Sequence, residues 1–175
     1  MDSRLSVRLF NDADADELTA VLHAAYAELG AVGLNYTAVD QDVHTTLLRA
    51  RGGQCWVVER DDEIVGTLTM SMPPSSGLQE LTPEAQVAQR AWLNQVAVLP
   101  TDQRAGIASE LWRLGCEWAR AHAATSIGVD TAIPAQHLVR LYRAWGFEQV
   151  STIHWSGKTY DSVVMIRPLG PADTG

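Results

Sequence analysis

One stretch in the second half of the chain constrains the fold more than any other. A largely apolar run from Ala91 to Leu99 is typical of a strand, and Pro100 ends it. Apolar residues at helical spacing then predict a helix from Gln103 to His122, and Thr125 to Thr131 predicts the next strand. Because the helix carries the chain back along the sheet, two strands joined in this way are usually parallel. The sequence therefore predicts parallel pairing in this half.

The remaining segments predict antiparallel hairpins and further helices around that unit. Residues 54–60 and 63–72 form a predicted hairpin with one buried face, because apolar and hydroxyl side chains alternate along its second strand. The other predicted elements are a strand at 5–10, helices at 13–29, 40–51 and 135–145, and strands at 148–155 and 160–167. This order, β-α-α-β-β-β-α-β-α-β-β, predicts an α/β fold, more closely an α+β mixed sheet of about seven strands with helices on both faces.

Two segments carry more specific expectations. The helix at 40–51 carries Val43, Leu47 and Leu48 as its apolar residues. Residues 73–90 contain several prolines and glycines and predict a long irregular loop, with a helical turn at 81–89. A loop of this length is often a lid or a binding loop, and the alternative is a solvated insertion.

Length and composition indicate the class of protein. The 175 residues, 46% hydrophobic and 19% charged, predict one globular domain over 1–167 and a flexible tail at 168–175. A formal net charge of −8 disfavours nucleic acid as a partner. The sequence has no apolar leader and no apolar run of about 20 residues, so no membrane association and a cytoplasmic location are expected. Cys55 and Cys116 are expected to be reduced, and no Cys/His cluster has the spacing of a metal site.

The strongest functional signal lies where the strand at 91–99 leads into the next helix. Gln103, Gly106 and Ala108 form the pattern Gln-x-x-Gly-x-Ala in this turn. The start of a helix attracts anions through its unpaired amides and its dipole, and small residues let a pyrophosphate approach the backbone. A Walker A loop is excluded because Ile107 follows Gly106, and a dinucleotide fingerprint is excluded because two of its three glycines are missing. A phosphate-binding turn and a chance strand–turn–helix both remain.

This turn resembles motif A of the GNAT acetyltransferase superfamily, in which Gln/Arg-x-x-Gly-x-Gly/Ala follows a Val-x-Pro strand end. The predicted order of elements is also that of the family, although the first third matches in organisation only. The resemblance implies a GNAT-type acyl-CoA N-acyltransferase fold, acetyl-CoA as co-substrate and no metal. It also implies direct transfer of the acetyl group, in a ternary complex, to a primary amine of a small molecule. The cofactor-binding residues it implies in this segment are Val96, Ala97, Val98, Gln103, Arg104, Ala105, Gly106, Ile107 and Ala108.

The resemblance further implies where the cofactor arm would lie. In the family, the strand before motif A separates from its parallel neighbour, and the pantetheine arm enters the gap. The backbones of Val96 and Val98 would bind this arm, with the thioester carbonyl near Val96. The amine would enter from the opposite side of the gap.

A second block, Leu141 to Phe147, resembles the family's Leu-Tyr-x-x-x-Gly-Phe. It implies that Tyr142 protonates the departing CoA thiolate, a role that suits a phenol with an ordinary pKa of about 10. The alternative is a tyrosine that only packs on the sheet. Arg143 beside it is assigned to cofactor binding. Ala135 and Leu138 stand where the family usually has Asn and Ala beside the pantetheine arm, so one hydrogen bond there is missing or replaced.

The acceptor side is less defined. The candidates for a general base or an ammonium-binding group are His154, Glu80, Glu84 and Asp40, each of which is otherwise a solvated residue. Trp92 and Trp155 are candidates for the wall of the acceptor pocket. Two alternatives to a small-molecule enzyme stay open: an acetyltransferase for protein N-termini or lysines, and a non-catalytic acyl-CoA sensor. The sequence also leaves open a homodimer, because late strands in this family often pair between chains.

Overall fold

The computed structural model describes residues 4–170. In this part of the chain, seven strands and six α-helices follow one another, with short 3₁₀ turns between some of them. The strands are β1 (Leu5–Leu9), β2 (Gln54–Arg60), β3 (Glu63–Ser71), β4 (Arg90–Val98), β5 (Ser126–Ala132), β6 (Glu148–Ile153) and β7 (Ser162–Pro168). The helices are α1 (Ala15–Ala31), α2 (Thr37–Asp40), α3 (Val43–Arg51), α4 (Ser76–Leu81), α5 (Ile107–Ala121) and α6 (Gln136–Ala144).

The strands form one mixed sheet in the order β1-β2-β3-β4-β5-β7-β6. The parallel pair is β4 with β5, in register from Arg90 opposite Ser126 to Trp92 opposite Gly128. The pairs β1–β2, β2–β3, β5–β7 and β6–β7 are antiparallel. The predicted mixed sheet of about seven strands is confirmed, and its parallel pair lies where the strand–helix–strand segment placed it. The predicted opening between β4 and β5 stays a prediction.

The described chain divides into two compact units. The first unit contains the chain up to Met70 together with Asn94–Gly115, and the second contains Ser71–Leu93 together with the chain from Cys116. Strand β4 and helix α5 each contribute residues to both units. The single domain expected over residues 1–167 stays a prediction.

The β2–β3 hairpin is confirmed, but its predicted exposed face is wrong. Asp61 and Asp62 form its turn with φ angles of 51° and 69°, which suit the twist of a tight hairpin. Strand β3 is buried at every residue after the first. On one face, Gly115 of α5 lies against Met70; on the other, the buried Thr67 hydroxyl donates to a backbone carbonyl of β2 at 2.9 Å. Hydrogen bonding lets these hydroxyl side chains lie inside the unit.

The helix predicted at 40–51 is shorter and has a polar residue on its buried side. Helix α3 begins at Val43, because Asp42 caps it by accepting the Thr45 amide at 2.8 Å. Its buried side carries Thr46, whereas Leu48 is 57% exposed, so apolar residues do not mark the buried side of this helix. The reason is a polar contact: the Thr46 hydroxyl lies 2.7 Å from the Thr19 hydroxyl of α1. Helical spacing of apolar residues cannot reveal a hydroxyl pair of this kind.

Residues 73–90 are more regular than predicted and belong to a core. Ser75 caps helix α4, and a 3₁₀ turn follows at Pro83–Gln86 rather than a helical turn over 81–89. Leu78 and Ala85 of this segment are buried in the second unit in one cluster with Trp92 and Val164. The segment is therefore neither an irregular loop nor a solvated insertion.

Three further expectations concern the tail, the thiols and membranes. Strand β7 runs through Pro168, and the Leu169 amide donates to Thr125 O at 2.9 Å, so these two residues are bonded to the rest of the second unit. The flexible tail expected at 168–175 otherwise stays a prediction. Residues 171–175 lie outside the described part.

Cys55 and Cys116 are buried free thiols, and burial raises the pKa of both. Within residues 4–170, no helix is both long enough and apolar enough to cross a bilayer.

A cluster of charges joins β1, β2 and the start of α1. Two Arg8 nitrogens donate to the two carboxylate oxygens of Asp14 at 2.7 and 2.8 Å, and Arg8 also donates to Glu59 at 2.8 and 2.5 Å. Asp14 accepts the Asn11 amide as well, and Asn11 caps the 3₁₀ turn that precedes α1. The hydrogen bond from Arg8 is the main reason that the pKa of Asp14 lies below its usual value.

We expect Asp14→Asn to lower the free energy of unfolding by about 1 kcal/mol at neutral pH, because the buried Asp14 carboxylate loses its charged bonds to a guanidinium that water partly screens. Since folding lowers the pKa of Asp14, its contribution is complete above the unfolded-state pKa of about 4 and is lost as pH falls through the folded-state value. Urea unfolding over an acidic pH series should therefore show the wild type and the variant converging.

The matched control is Asp12→Asn, which removes an exposed pair with Arg51 from the same turn. It should change stability much less, because water screens exposed ion pairs. Equal losses in the two variants, or a difference that does not shrink on acidification, would contradict the role given to Asp14.

Candidate active site

The passage from β4 to α5 is fixed at both ends within the first unit. At the end of β4, the Leu99 amide donates to Val65 O of β3 at 2.8 Å. Pro100 then opens a 3₁₀ turn in which the Asp102 amide donates to Leu99 O at 2.9 Å. The chain therefore leaves the sheet in a defined direction before the predicted phosphate-binding residues begin.

Asp102 holds this turn onto the hairpin. Its buried carboxylate accepts Arg60 Nε from the end of β2 at 2.7 Å and the Thr101 hydroxyl at 2.7 Å. The negative charge of Asp102 is thus neutralised by Arg60 inside the unit. This matters because an unpaired carboxylate next to an anion-binding turn would oppose the ligand.

Residues 103–106 form an exposed loop, and α5 begins at Ile107 rather than at Gln103. The reason is backbone conformation: Arg104 and Gly106 have φ angles of 67° and 78°, which a right-handed helix cannot contain. A Cβ placed on Gly106 would meet nothing within 4 Å. Space next to the backbone is therefore open at the one position of the loop that has no side chain.

The first turn of α5 provides donors beside this loop. Gly106 O accepts the Glu110 amide at 3.0 Å, which is the first hydrogen bond of the helix. The amides of residues 107–109 precede it and have no acceptor within α5. Unpaired amides at the positive end of a helix dipole favour a phosphate group. The loop and the first turn of α5 thus have the chemistry of a pyrophosphate-binding turn.

The other residues predicted in motif A divide into anchors and open positions. Ile107 is buried, with its side chain against Gly66 of β3, and Ala97 is buried as well. Their side chains hold the segment in place, so only their backbones can serve a ligand. Ala108 is half-buried, while Gln103, Arg104 and Ala105 are exposed.

Val96 and Val98 are half-buried on β4, as a backbone site for a ligand requires. The carbonyl of Val96, however, already accepts the Tyr26 hydroxyl of α1 at 2.8 Å. Burial raises the pKa of Tyr26 to about 12, so this phenol keeps its proton across the neutral range. The Val96 carbonyl is therefore engaged inside the first unit, and the binding roles predicted for Val96 and Val98 stay predictions.

Tyr142 lies in the second unit, on α6, and is buried. Its ring lies against those of Trp145 and Phe147, with centroids 5.9 Å away in both cases. Gly146, with a φ of 89°, ends the helix, and the Phe147 amide returns to Tyr142 O at 3.0 Å. The Gly-Phe of this block thus has a structural reason: it closes α6 and places an aromatic ring on Tyr142.

The residues predicted around Tyr142 occupy different environments. Ala135 is buried at the start of α6, where its amide donates to Ala132 O at 3.0 Å. Leu138 is half-buried and Arg143 is exposed. Their predicted contacts with the cofactor stay predictions, as does the role of Tyr142.

Comparison with known proteins identifies the family. The model of the acetyltransferase (GNAT) family matches residues 18–147, which is well over half of the chain. The chain belongs to the GNAT acetyltransferase family. The resemblance found in the sequence is therefore confirmed, and the predicted enzyme class is that of the family.

Solved structures of GNAT proteins share the fold. One is yncA from Salmonella typhimurium, solved with acetyl-CoA, at a TM-score of 0.70 and 16% identity over 99% of this chain and 98% of that one. Another is the ribosomal-protein-S18-alanine N-acetyltransferase from Escherichia coli, at a TM-score of 0.71 and 12% identity over 98% of both chains. At such identities these structures establish the fold and leave the acceptor undecided.

One curated relative is the S-(2-succino)cysteine N-acetyltransferase of Bacillus subtilis (strain 168). It is 32% identical over 66 residues, a segment that spans 38% of this chain and 40% of the relative.

Among the acceptor-side candidates of this GNAT chain, most are solvated or structural. Glu84 pairs with Arg90 at 2.5 Å and supports the 3₁₀ turn after α4. His154 pairs with Asp161 at 2.9 Å, and both side chains are more than half exposed. Glu80 and Asp40 are also exposed. No group of three acidic, histidine or cysteine side chains that could hold a metal ion occurs within residues 4–170.

Asp130 of β5 is a residue that the sequence analysis missed. Its two carboxylate oxygens accept the indole N–H groups of Trp92 and Trp155, each at 2.9 Å. Trp92 is fully buried over Gly128, so the prediction that it lines a pocket is wrong, whereas Trp155 is partly buried. The one charged residue of strand β5, between buried neighbours, is the signal that would have identified Asp130.

Gln95 of β4 is the second residue missed. It has a φ of 45° in the middle of a strand, and its side chain is buried. A non-glycine residue in this conformation is uncommon, and it interrupts the regular alternation of side chains along the strand. The sequence gives no sign of it, because a glutamine is an ordinary strand residue.

We expect Gly106→Ala to weaken acetyl-CoA binding roughly tenfold, because a Cβ would fill the space through which a pyrophosphate approaches the backbone. It should also cost about 1 kcal/mol of stability, since Ala is strained at a positive φ. Isothermal titration with acetyl-CoA and urea unfolding measure the two effects.

Gly33→Ala is the matched control. Gly33 also has a positive φ, of 89°, with nothing within 4 Å of a Cβ, but it lies after α1. The same loss of stability with unchanged acetyl-CoA affinity is expected. Equal affinities for the Gly106 and Gly33 variants would exclude the loop at 103–106 as the cofactor site.

Proposed function

We propose that the protein is a cytoplasmic N-acetyltransferase that moves the acetyl group of acetyl-CoA to a primary amine of a small molecule, by direct attack in a ternary complex. The observation that supports this most is the exposed loop before α5, with open space at Gly106 and unpaired amides next to it. Together with membership of the GNAT family, it supports acetyl-CoA as the ligand of this turn.

Residues of the first unit would hold acetyl-CoA. The loop at 103–106 and the first amides of α5 would bind the pyrophosphate, and Arg104 would add a positive charge at the exposed side. The backbones of Val96 and Val98 would bind the pantetheine arm. Bound acetyl-CoA supplies an activated acetyl group as a thioester. The contribution of these residues is to orient it, which by itself accounts for much of the rate in such reactions.

Tyr142 would hold the proton that the departing sulfur needs. It is a buried phenol at the end of a helix closed by Gly146, so its ring has little rotational freedom. A positioned acid of this kind typically contributes a factor of 10²–10⁴ to the rate.

A small molecule is the acceptor that we favour over a protein. The support is the Bacillus subtilis relative, whose acceptor is a derivative of one amino acid. The shared segment covers less than half of either chain, so this likeness supports the class of acceptor and not its identity.

The test is release of free CoA from acetyl-CoA against polyamines, amino acids, aminoglycosides and short peptides. Wild-type protein should turn over at least one small amine. Tyr142→Phe should lower kcat roughly 10²-fold or more, because the proton donor is lost, while acetyl-CoA still binds. The matched control is Tyr160→Phe, which alters another buried tyrosine of the second unit and should retain turnover.

Other results of this assay would support different hypotheses. Turnover that Tyr142→Phe leaves unchanged would support the enzyme and reject the assigned acid. Turnover with peptides alone would favour a protein acetyltransferase. Bound acetyl-CoA without turnover of any amine would favour an acyl-CoA sensor.

A further inference from the structure

One buried donor in the first unit has no acceptor. Gln95 is 6% exposed, and its Nε2 has no hydrogen-bond partner within residues 4–170. The other buried side-chain atoms in that state are the hydroxyls of Thr69 and Ser151. A hydroxyl rotates its single hydrogen to suit its surroundings, whereas an amide nitrogen presents two hydrogens in fixed directions. An unpaired buried amide is costly, and functional sites are where such groups persist.

The direction of the Gln95 amide follows from its neighbours. Arg49 donates to Gln41 Oε1 at 2.8 Å, and a guanidinium can only donate. Gln41 must therefore turn its NH₂ the other way, where it donates to Thr46 Oγ1 at 2.8 Å and to Gln95 Oε1 at 3.1 Å. The oxygen of Gln95 is thus occupied, and its NH₂ is the end left for another molecule.

Other contacts hold Gln41 in place, so that it fixes the orientation of the Gln95 amide. It is 5% exposed, and its backbone carbonyl accepts His23 Nε2 of α1 at 2.7 Å. Thr46, its other partner, is bonded to Thr19 of α1. Three elements of the first unit therefore fix the chain of contacts from Arg49 through Gln41 to Gln95.

The backbone conformation of Gln95 is also unusual. A φ of 45° in a strand is unfavourable for a residue with a side chain, and such strain is typical of functional positions. The flanking residues, Asn94 and Val96, are half-buried, so the strand is partly open on either side of Gln95. Val96 is the residue near which the resemblance to the GNAT family places the thioester carbonyl.

The charges of the side chains in this network favour an anionic ligand. The groups whose hydrogen bonds define it are Thr19, His23, Gln41, Thr46, Arg49 and Gln95. These side chains are neutral or positively charged, and the charge of Arg49 is also felt by Tyr26 beside Val96. A carboxylate fits both features, because it accepts from an amide and is attracted by a guanidinium.

We propose that Gln95 determines the acceptor of this enzyme: its Nε2 donates to a carboxylate of the amine, so that the substrate class is the amino acids and related amines that carry a carboxylate. The inference rests on the proposed function and refines it. Arg49 and Gln41 are positioning residues, because they fix which end of the Gln95 amide meets the ligand. Shielding from water strengthens the bond that forms there.

The test compares pairs of amines that differ only in the carboxylate: lysine with cadaverine, phenylalanine with phenethylamine, and histidine with histamine. For each pair the readout is the ratio of kcat/KM values with acetyl-CoA. The wild type should favour the amino acid. Gln95→Leu should lower kcat/KM for the amino acid roughly 10-fold to 100-fold and leave the decarboxylated partner nearly unchanged, so that the ratio falls. A merely structural role of Gln95 would lower both values together.

Further variants test the orientation. Gln95→Glu keeps the shape and repels a carboxylate, so it should lower the ratio at least as far as Gln95→Leu. Arg49→Lys keeps a pure donor towards Gln41 and should retain the ratio, whereas Arg49→Met releases the Gln41 amide and should lower it. Gln149→Leu, on the exposed strand β6, is the matched control and should change nothing.

Failure of the inference and failure of the proposed function give different results. A wild-type preference for the decarboxylated amines, or a ratio that Gln95→Leu leaves intact, would overturn the role of Gln95 in a working enzyme. If no amine is acetylated, the proposed function fails, and calorimetry with the same three amino acids decides the inference. Binding that Gln95→Leu abolishes would support the carboxylate site, and absent binding would overturn it.

Discussion

The backbone of β4 carries the constraint on which the arrangement of the first unit depends. Its end is fixed, because the Leu99 amide is bonded to Val65 of β3 and Pro100 turns the chain towards α5. In between, Gln95 leaves the regular strand conformation. A residue with a positive φ departs from the extended conformation, so it interrupts the regular alternation of side chains while the end of the strand keeps its place. The contact of Gln95 with Gln41 and that of Val96 with Tyr26 both begin at this point of the strand.

A polar layer inside the first unit is the consequence. The hydroxyls of Thr19 and Thr46 lie against each other, and Gln41 is bonded to Thr46 and Gln95. Burying these groups is acceptable where each finds a partner, and it specifies the arrangement more tightly than an apolar contact would. Helix α3 therefore turns a threonine towards α1 and leaves Leu48 exposed.

The sequence predicted what depends on local signals. Pro100 at the end of a strand, Asp61-Asp62 in a hairpin turn and Gly146 after a helix each act over a few residues, so the strands, the hairpin and the last helix were predicted close to their observed positions. The glycine of motif A likewise identified the turn before α5, although two positive φ angles move the start of the helix to Ile107.

What the sequence could not show depends on contacts between distant residues. Gln41 and Gln95 are 54 positions apart, and Asp130 is 38 positions from Trp92. The buried hydroxyls of β3 looked like a solvent-facing side because alternation reports polarity, and it cannot report that a second layer covers the sheet. Residues 73–90 looked irregular for a similar reason. Helix α4 is short, and the burial of Leu78 depends on residues far along the chain, which the local sequence does not show.

Local signals and distant contacts also determine different features of the candidate cofactor turn. The recognisable pattern consists of positions where side chains are small or absent, because that is what lets a ligand approach the backbone. The residues that aim this backbone lie outside the pattern: Arg60 holds Asp102, and Gly66 makes room for Ile107. A chain that kept Gln103, Gly106 and Ala108 but lost Arg60 would leave the buried charge of Asp102 unpaired directly before the loop. The turn would then be present in the sequence and misplaced in the structure.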